Sequence, residues 1–288
     1  MVYKFSIVIP TKNEEKNIIK CLNSILIQKQ KKIEVLIIDS FSKDKTTKLI
    51  KKLKIKNQRR DISIKIISKN LPAEKATAFG IHRSKGEIIS FLGADDRLYN
   101  NETLSKVYSK FKNINEKILY GSYVIINDNE KVVKRIASKV FDRELILNYG
   151  NYICATSLFF KKDIFKIIRK SADDGYDFAF ILKYSKKFNF FRMKDNLSKF
   201  KIHSMSNSGN FYKNIINIKK DYQISKKYGG KLLNTYHKRF LIIKILQFFK
   251  LLWLAELKRK ISMSRLAGLE IDFQNKSKEV EERILQKI

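Results

Sequence analysis

Short apolar runs alternate with amphipathic stretches through roughly the first third of the chain. The runs are typical of buried strands, and they cover residues 5–10, 34–38, 62–68 and 88–92. The stretches between them carry apolar residues at three- and four-residue spacing, as in a helix packed on a sheet. Asn13 is a candidate N-cap for the first helix, and Ser42 or Asp44 for the second. This alternation predicts an α/β fold with a doubly wound, mostly parallel sheet and right-handed crossovers.

Three of the predicted strands end in a polar loop that contains Thr11, Asp39 or Asp95. The carboxyl ends of parallel strands meet at one edge of a sheet, where open α/β folds bind ligands, so we expect these residues to line one cleft. Asp95 is followed by Asp96, and two adjacent carboxylates repel unless a cation compensates them. A divalent metal that arrives with a phosphorylated substrate would do so. The alternative is a solvated turn that caps the next helix.

The second half of the chain is less regular. Residues 117–127 suggest a further strand and residues 130–136 its hairpin partner, followed by helical patterns over 211–228 and from Thr235 onward. The stretch 240–255 is the most apolar, yet its uninterrupted runs are far below the ~20 residues that span a bilayer. A basic-striped apolar helix of this kind favours an anionic membrane surface. Packing on the catalytic domain or on a second copy is the alternative.

Composition adds a strong positive charge. The 288 residues carry a formal net charge of +33, and 44% of them are hydrophobic, so the chain should be globular and attract anionic partners. An AT-rich genome would also produce such a lysine-rich chain, and both explanations stay open. Only two cysteines occur, Cys21 and Cys154, which argues against a disulfide framework or a zinc site. The N-terminus has no signal-peptide pattern, so we expect a cytoplasmic protein.

Three segments, each placed after a predicted strand, resemble the successive motifs of family 2 glycosyltransferases. They are VIPTKNEE at 8–15, IDSFSKDKT at 38–46 and SKGEIISFLGADD at 84–96. The likeness covers about residues 1–210 and is greatest to enzymes of bacterial surface-polysaccharide assembly. It implies a GT-A fold, a nucleotide-sugar donor and Mg²⁺ or Mn²⁺. It also implies a catalytic domain at 1–210, which leaves 211–288 as a helical C-terminal region.

The resemblance implies functions for single residues. The positions that would bind the nucleotide sugar are Pro10, Thr11, Lys12, Glu14, Asp39, Ser40, Ala76, Gly80, Ala94 and Asp95. Asp39 would accept a hydrogen bond from a uracil-like base. Asp95 matches the aspartate that binds the metal of the donor diphosphate, with Asp96 and His203 as further candidate ligands.

Four positions depart from the family pattern. Lys12 stands where an aromatic side chain often stacks on the base, and Phe41 replaces a usual glycine. Ala78 replaces an asparagine that is often present, and Gly93 replaces the first acid of a complete Asp-x-Asp motif. The missing acid leaves Asp95 and Asp96 to hold a metal.

Three aspartates compete for the role of catalytic base. Inverting sugar transfer needs a carboxylate that takes the proton of the acceptor hydroxyl, and the family supplies it near a helix start. Here the segment SADDGYD at 171–177 offers Asp173, Asp174 and Asp177, of which we favour Asp174. A helix-capping role for Asp173 or Asp174 is the alternative.

Two classes of function follow. The first is an inverting glycosyltransferase that adds a sugar, for which we expect a UDP-linked donor, to a glycan or lipid-linked acceptor at the inner face of the cytoplasmic membrane. The second is a binding protein on a degenerate transferase scaffold, or a basic nucleic-acid-binding protein. The sequence shows no aromatic-basic single-strand motif and no recognition-helix signature, so we expect no nucleic-acid partner.

Overall fold

A computed structural model describes residues 2–202 and 211–248 and confirms the predicted α/β architecture. The strands are β1 (Phe5–Thr11), β2 (Ile33–Asp39), β3 (Ile62–Ser68), β4 (Ile88–Phe91), β5 (Arg97–Leu98), β6 (Ile118–Ile126), β7 (Val132–Ile136), β8 (Leu158–Lys161) and β9 (Phe190–Lys201). The helices are α1 (Ile18–Leu26), α2 (Thr46–Lys56), α3 (Ala73–Arg83), α4 (Thr103–Lys112), α5 (Arg143–Asn148), α6 (Asp177–Tyr184), α7 (Phe211–Lys227) and α8 (Thr235–Phe248). Short 3₁₀ turns lie at Ala155–Ser157, Lys162–Lys166 and Ala172–Gly175.

One sheet contains all of these strands, in the order β3-β2-β1-β4-β8-β6-β9-β5, with β7 paired to β6. The first four strands are parallel, as predicted. Beyond them the sheet is mixed, because β8 runs antiparallel to both β4 and β6, while β9 runs parallel to β6. The register places Thr11 opposite Asp39 and Val8 opposite Phe91, so the loops after β1, β2 and β4 leave the sheet at one edge.

Apolar clusters cover both faces of this sheet. Ile7 and Ile9 of β1 belong to one cluster with α1 and α4, whereas Val8 belongs to the other with α3 and α6. Successive strand side chains point to opposite faces, and this explains why every residue of β2 is buried. Ile224 of α7 and Tyr236 of α8 pack in the same cluster as α6, so the helical C-terminal region shares a core with the sheet domain.

The structure corrects the predicted start of the first helix. Asn13 is not its N-cap, because α1 begins at Ile18 and Asn13 has a left-handed backbone with φ 55°. The Asn13 side chain instead accepts a hydrogen bond from the Lys43 amide at 2.8 Å. For α2, Asp44 accepts from the first-turn amide of Thr46 at 3.0 Å, whereas Ser42 is bonded elsewhere.

Some predictions lie outside the described residues. His203 and the predicted domain boundary at 210 fall in residues 203–210, and the predicted surface helix continues beyond residue 248. Within the described ranges, none of the helices has the length and apolar character needed to cross a membrane.

Candidate active site

The candidate base-binding pair lies at the carboxyl edge of the sheet. Thr11 and Asp39 are register partners at the ends of β1 and β2, and both are buried. The Asp39 carboxylate accepts from the Ser42 amide at 3.1 Å and from the Ser42 hydroxyl at 2.5 Å. Ser40 donates to the Leu71 carbonyl at 2.6 Å. Asp39 is therefore held in a fixed orientation at the edge where a base would approach.

Side chains tie the loop after β1 to the loop after β2. The amide of Glu14 donates to the Thr46 hydroxyl at 2.8 Å, and the amide of Glu15 donates to Asp44 at 3.1 Å. In return, the Lys45 amide donates to the Glu15 carboxylate at 2.9 Å. These reciprocal bonds fix the two loops against each other, so the edge is preorganised for a ligand.

Phe41 is one of the departures from the family pattern. Its backbone has φ 54°, a left-handed conformation that favours glycine, and its side chain is 56% exposed next to Asp39. A non-glycine residue in this conformation costs about 1–2 kcal/mol, and such strain tends to persist at functional sites. Lys12 is also exposed, whereas Pro10 is half-buried.

Other predicted binding residues have a packing role. Ala76 and Gly80 of α3 are buried against the sheet, and a Cβ on Gly80 would collide with Val8 and lie 3.2 Å from Ile38. Ala78, at the position of the family asparagine, is also buried. Close approach of α3 to β1 and β2 accounts for these small residues without a ligand.

Asp95 and Asp96 follow β4 at the same edge as Asp39, together with buried Ala94. A Cβ on Gly93 would collide with Asp96 Oδ2 and lie 2.7 Å from Asp95 Oδ1, so both carboxylates fold over the place where a side chain would be. This convergence is possible because Gly93 has replaced the acid of the family motif. Burial and the charge of Asp95 raise the pKa of Asp96 well above its usual range.

Cations surround the turn that holds these two acids, and the sequence analysis did not identify them. The Lys201 amide donates to Asp96 Oδ1 at 2.8 Å, and its buried ammonium donates to Asn17 at 2.9 Å. Arg97 donates to the Asp95 carbonyl at 2.8 Å and pairs with Glu130 at 2.6 Å. Lys201 lies on β9, 105 residues after Asp96, so only the fold brings it to this turn, whereas Arg97 directly follows Asp96 in the chain.

The fit to a divalent ion is partial. Across residues 2–202 and 211–248, no group of three or more His, Cys, Asp or Glu residues is arranged to hold a metal. The Asp95–Asp96 pair supplies two carboxylates, and one of their four oxygens, Asp96 Oδ1, already accepts from the Lys201 amide. Mg²⁺ commonly binds through one or two carboxylates plus substrate phosphates, so the pair suits an ion that arrives with a diphosphate.

Asp174, the favoured base, is enclosed. Its side chain is fully buried, with Oδ2 accepting from His82 at 2.7 Å and from the Ser171 amide at 2.9 Å. Oδ1 accepts from Lys183 at 2.6 Å and from the Tyr184 hydroxyl at 2.9 Å. Burial alone would raise the pKa of Asp174, but the hydrogen bonds outweigh it and hold that pKa below its usual range. His82 lies near the C-terminus of α3, away from the carboxyl edge.

Asp173 and Gly175 anchor the same turn. Asp173 pairs with Lys227 at 2.5 Å and accepts from the Tyr228 hydroxyl at 2.9 Å. A Cβ on Gly175 would collide with the Glu74 carbonyl and lie 2.6 Å from the Ala78 amide. The turn therefore lies directly on the α3 backbone, and only glycine fits there.

Asp177 has a different environment. It is the first residue of α6 and is partly buried, and Asn151 donates to its Oδ2 at 3.2 Å. Burial raises the pKa of Asp177 to about 6, and the charge of Asp221 adds to this effect. Burial also raises the pKa of the Cys154 thiol to about 12, and both Asp96 and Asp177 are near enough to contribute. Asp177 is thus the candidate base that shares a neighbour with the Asp95–Asp96 turn.

Asp221 was missed in the sequence. It lies on α7 and accepts from the Tyr176 hydroxyl at 2.7 Å, while Lys220 lies 4.0 Å from the centre of the Tyr176 ring. Lys220 also pairs with Glu74 at 2.7 Å, which joins α7 to α3. Burial raises the pKa of Asp221. The sequence does contain one signal for this residue, because Asp221 is the single acid in the otherwise basic α7 segment.

Known proteins resemble this chain in sequence. A family model described as glycosyl transferase family 2 matches residues 6–177, more than half of the chain. The chain is 31% identical over 149 residues to the UDP-Glc:α-D-GlcNAc-diphosphoundecaprenol β-1,3-glucosyltransferase WfgD of Escherichia coli, covering 51% of this chain and 57% of that one. It is 30% identical over 184 residues to the poly(ribitol-phosphate) β-N-acetylglucosaminyltransferase TarP of Staphylococcus aureus, covering 59% and 55%. The match therefore spans little more than half of each relative.

Solved structures share the fold. The S. aureus TarS structure in complex with UDP superposes with a TM-score of 0.54 and 20% identity, covering 78% of this chain and 70% of that one. A Pyrobaculum calidifontis mannosyltransferase in complex with GDP-Man and Mn²⁺ superposes with a TM-score of 0.58 and 14% identity, covering 99% and 81%. These likenesses confirm the predicted GT-A fold.

Proposed function

The chain belongs to glycosyl transferase family 2, and from that membership we propose that it transfers a sugar from a nucleoside-diphosphate sugar to a glycan or lipid-linked acceptor. The observation that carries the proposal is the shared edge of the sheet. Asp39 and the Asp95–Asp96 turn lie there, and Asp96 and Asp177 both influence Cys154, which precedes the end of β8 nearest that edge. A nucleotide pocket, a diphosphate site and a base are the parts that sugar transfer requires.

The donor nucleotide would bind across the ends of β1 and β2. Asp39 would accept a hydrogen bond from the imide of a uracil base, since its carboxylate is already oriented by Ser42. Exposed Phe41 would offer an aromatic face beside it, in place of the aromatic residue that Lys12 replaces. UDP is the donor nucleotide that this arrangement favours, and WfgD is named as an enzyme that uses UDP-Glc.

Asp95 and Asp96 would hold Mg²⁺ or Mn²⁺ together with the donor diphosphate. The bound ion would supply Lewis-acid stabilisation of the charge on the departing nucleotide. Asp95 is the more accessible of the two, because Asp96 is buried and bonded to the Lys201 amide. Arg97 adds positive charge beside the same turn, and Lys201 contributes its backbone amide, while its ammonium pairs with Asp128 at 3.2 Å.

Asp177 would act as the general base. As the acceptor oxygen bonds to C1 of the sugar, its proton passes to Asp177, and the bond from C1 to the diphosphate oxygen breaks. A single displacement of this kind inverts the configuration at C1. A base is most effective when its pKa is near the working pH, and the pKa of Asp177 at about 6 meets that condition. Asp174 cannot serve, because both of its oxygens are occupied.

Nucleotide binding gives the direct test. Isothermal titration of UDP and GDP, with and without Mn²⁺, should show metal-enhanced binding of UDP. Asp39→Ala should weaken UDP binding by about 1–3 kcal/mol, the cost of an unpaired buried group. Asp95→Asn should remove the dependence on Mn²⁺, and Asp96→Asn should have a smaller effect.

Asp61→Ala is the matched control, since it removes the same charge at the amino end of β3, where Asp61 pairs with Arg59 at 2.5 Å. It should leave UDP affinity unchanged. Equal UDP affinity in the parent and in a folded Asp39→Ala protein would contradict the assignment.

A lipid-linked acceptor would place the protein at a membrane surface. Leu241, Ile242 and Ile245 of α8 are exposed, whereas Ile243 is buried. We expect the full chain to sediment with anionic liposomes and to be partly released by high salt. Leu241→Asp combined with Ile245→Asp should reduce sedimentation, and a parent protein that ignores liposomes would leave α8 as a packing helix.

A further inference from the structure

A basic groove lies at the opposite edge of the sheet from the candidate active site. Its volume is about 660 Å³, and it is bordered by Glu87, which directly precedes β4, and by Lys161, which ends β8. Asp95 lies beyond the other end of β4. Four strand residues alone separate the two edges by about 13 Å. The groove is therefore distinct from the diphosphate site.

Positive charge in this groove is uncompensated. Glu87 pairs with Lys4 at 3.2 Å, and Asp163 pairs with Lys117. The remaining lining lysines are Lys161, Lys162, Lys166 and Lys170, and none of them forms an ion pair with a carboxylate in the described part of the chain. The Lys170 ammonium donates to the His82 carbonyl at 3.0 Å, and like charges gathered along one groove attract an anion.

Asp163 adds a second requirement. Its Oδ2 is taken by Lys117, but its Oδ1 is buried and has no hydrogen-bond partner among the described residues. A buried acceptor without a donor costs about 1–3 kcal/mol, so a ligand hydroxyl that reached this oxygen would stabilise binding. Inorganic phosphate carries the charge that the lysines attract but has no neighbouring alcohol hydroxyl.

We propose that this groove binds a phosphorylated polyol or sugar, with the lysines holding the phosphate and Asp163 accepting from a neighbouring hydroxyl. Lysine ammonium groups bind phosphate as point charges with three donors each. Asp163 lines the same groove as these lysines, so its Oδ1 would accept from a hydroxyl of the molecule whose phosphate they hold. This inference is independent of the proposed sugar transfer, because binding alone is measured.

The test uses glycerol 3-phosphate and inorganic phosphate as probes, titrated into the full chain in the presence of excess UDP. Glycerol 3-phosphate should bind saturably and more tightly than phosphate. Lys162→Gln combined with Lys166→Gln should weaken it about 10-fold, as expected for two lost charge-assisted bonds. Lys51→Gln combined with Lys52→Gln, on the exposed face of α2, removes the same charge elsewhere and should change it less than about 2-fold.

Asp163→Ala separates the two contacts. It frees Lys117, so phosphate affinity should not fall, whereas the preference for glycerol 3-phosphate over phosphate should disappear. Phosphatidylglycerol vesicles carry the same group on a lipid, so binding to vesicles that is lost only in the groove variant would assign a lipid-borne source. Equal losses in the groove and α2 variants with both probes would overturn the proposal. Failure of UDP to bind would count against the proposed donor and leave this test unaffected.

Discussion

Asp174 and Asp177 lie three residues apart, and their surroundings have opposite effects on their charges. Asp174 accepts four hydrogen bonds, and its pKa is held below the usual range. Among the described residues Asp177 has one side-chain donor, Asn151, and its pKa is raised to about 6. The first environment stabilises a carboxylate, whereas the second leaves it able to accept a proton. A fully satisfied acid is a structural element, and an under-satisfied acid at the ligand edge of a sheet is a candidate base.

The largest expected effect is on catalysis. Asp177→Asn removes the proton acceptor and should lower kcat by about 10²–10⁴-fold, measured as sugar transfer from the donor that binds. The same substitution should raise the free energy of unfolding at neutral pH by about 1–3 kcal/mol, because a carboxylate with a raised folded-state pKa destabilises the fold once it is ionised. Loss of activity together with a gain in stability would separate this residue from a structural aspartate. Full activity in Asp177→Asn would remove it as the base.

The second prediction concerns Asp174. Asp174→Ala removes the acceptor of His82 and Tyr184 and the counter-charge of Lys183, so the free energy of unfolding should fall by about 3–5 kcal/mol. Asp173→Ala is the neighbouring control, since its ion pair with Lys227 is partly exposed, with Lys227 58% exposed to solvent, and should contribute about 0–1 kcal/mol. Denaturant unfolding measures both. A loss in Asp174→Ala no larger than in Asp173→Ala would contradict the closed network.

The pH dependence of that stability gives the third prediction. Asp174 has a lowered pKa in the folded state, so its contribution is full above the unfolded value of about 4 and is lost as the pH falls through the folded value. Asp174→Asn should therefore be destabilising at pH 7 by about 2 kcal/mol. The difference from the parent should shrink below about pH 4. A constant difference between pH 7 and pH 3 would show that packing, not charge, is lost.

The contrast between these aspartates also marks where sequence reasoning succeeded and failed. The first four strands and their parallel arrangement followed from apolar runs and helical spacing, which are local signals, and the strand ends placed Thr11 and Asp39 together. The choice of the catalytic base among the three aspartates could not be made from the local sequence. It depends on the contact of Gly175 with the α3 backbone and on Asp221 from α7. Asp174 was favoured because a motif shows which acids are present but not which partners surround them.

The prediction with the smallest expected effect tests how residues of α7 influence the pKa of Asp177. The groups that influence the charge of Asp177 are Asp221 and Lys220 of α7, with the Phe178 amide of its own helix. Burial is the largest cause of the raised pKa, and the negative charge of Asp221 adds to it. The acid limb of kcat/KM should therefore lie near pH 6 in the parent. Asp221→Asn should move that limb to lower pH by less than about one unit, because the like charge that disfavoured ionisation has gone.

Tyr176→Phe is the control for this shift. It removes the hydroxyl that donates to Asp221 at 2.7 Å but keeps the ring under Lys220 and leaves the Asp221 charge in place. If Asp221 acts through its charge, Tyr176→Phe should not lower the acid limb, whereas a purely structural role would make both variants lose activity evenly at every pH. A pH–rate profile of kcat/KM for the parent and both variants distinguishes these outcomes. An unmoved limb in Asp221→Asn would mean that burial alone raises the pKa of Asp177, and that α7 contributes packing rather than charge.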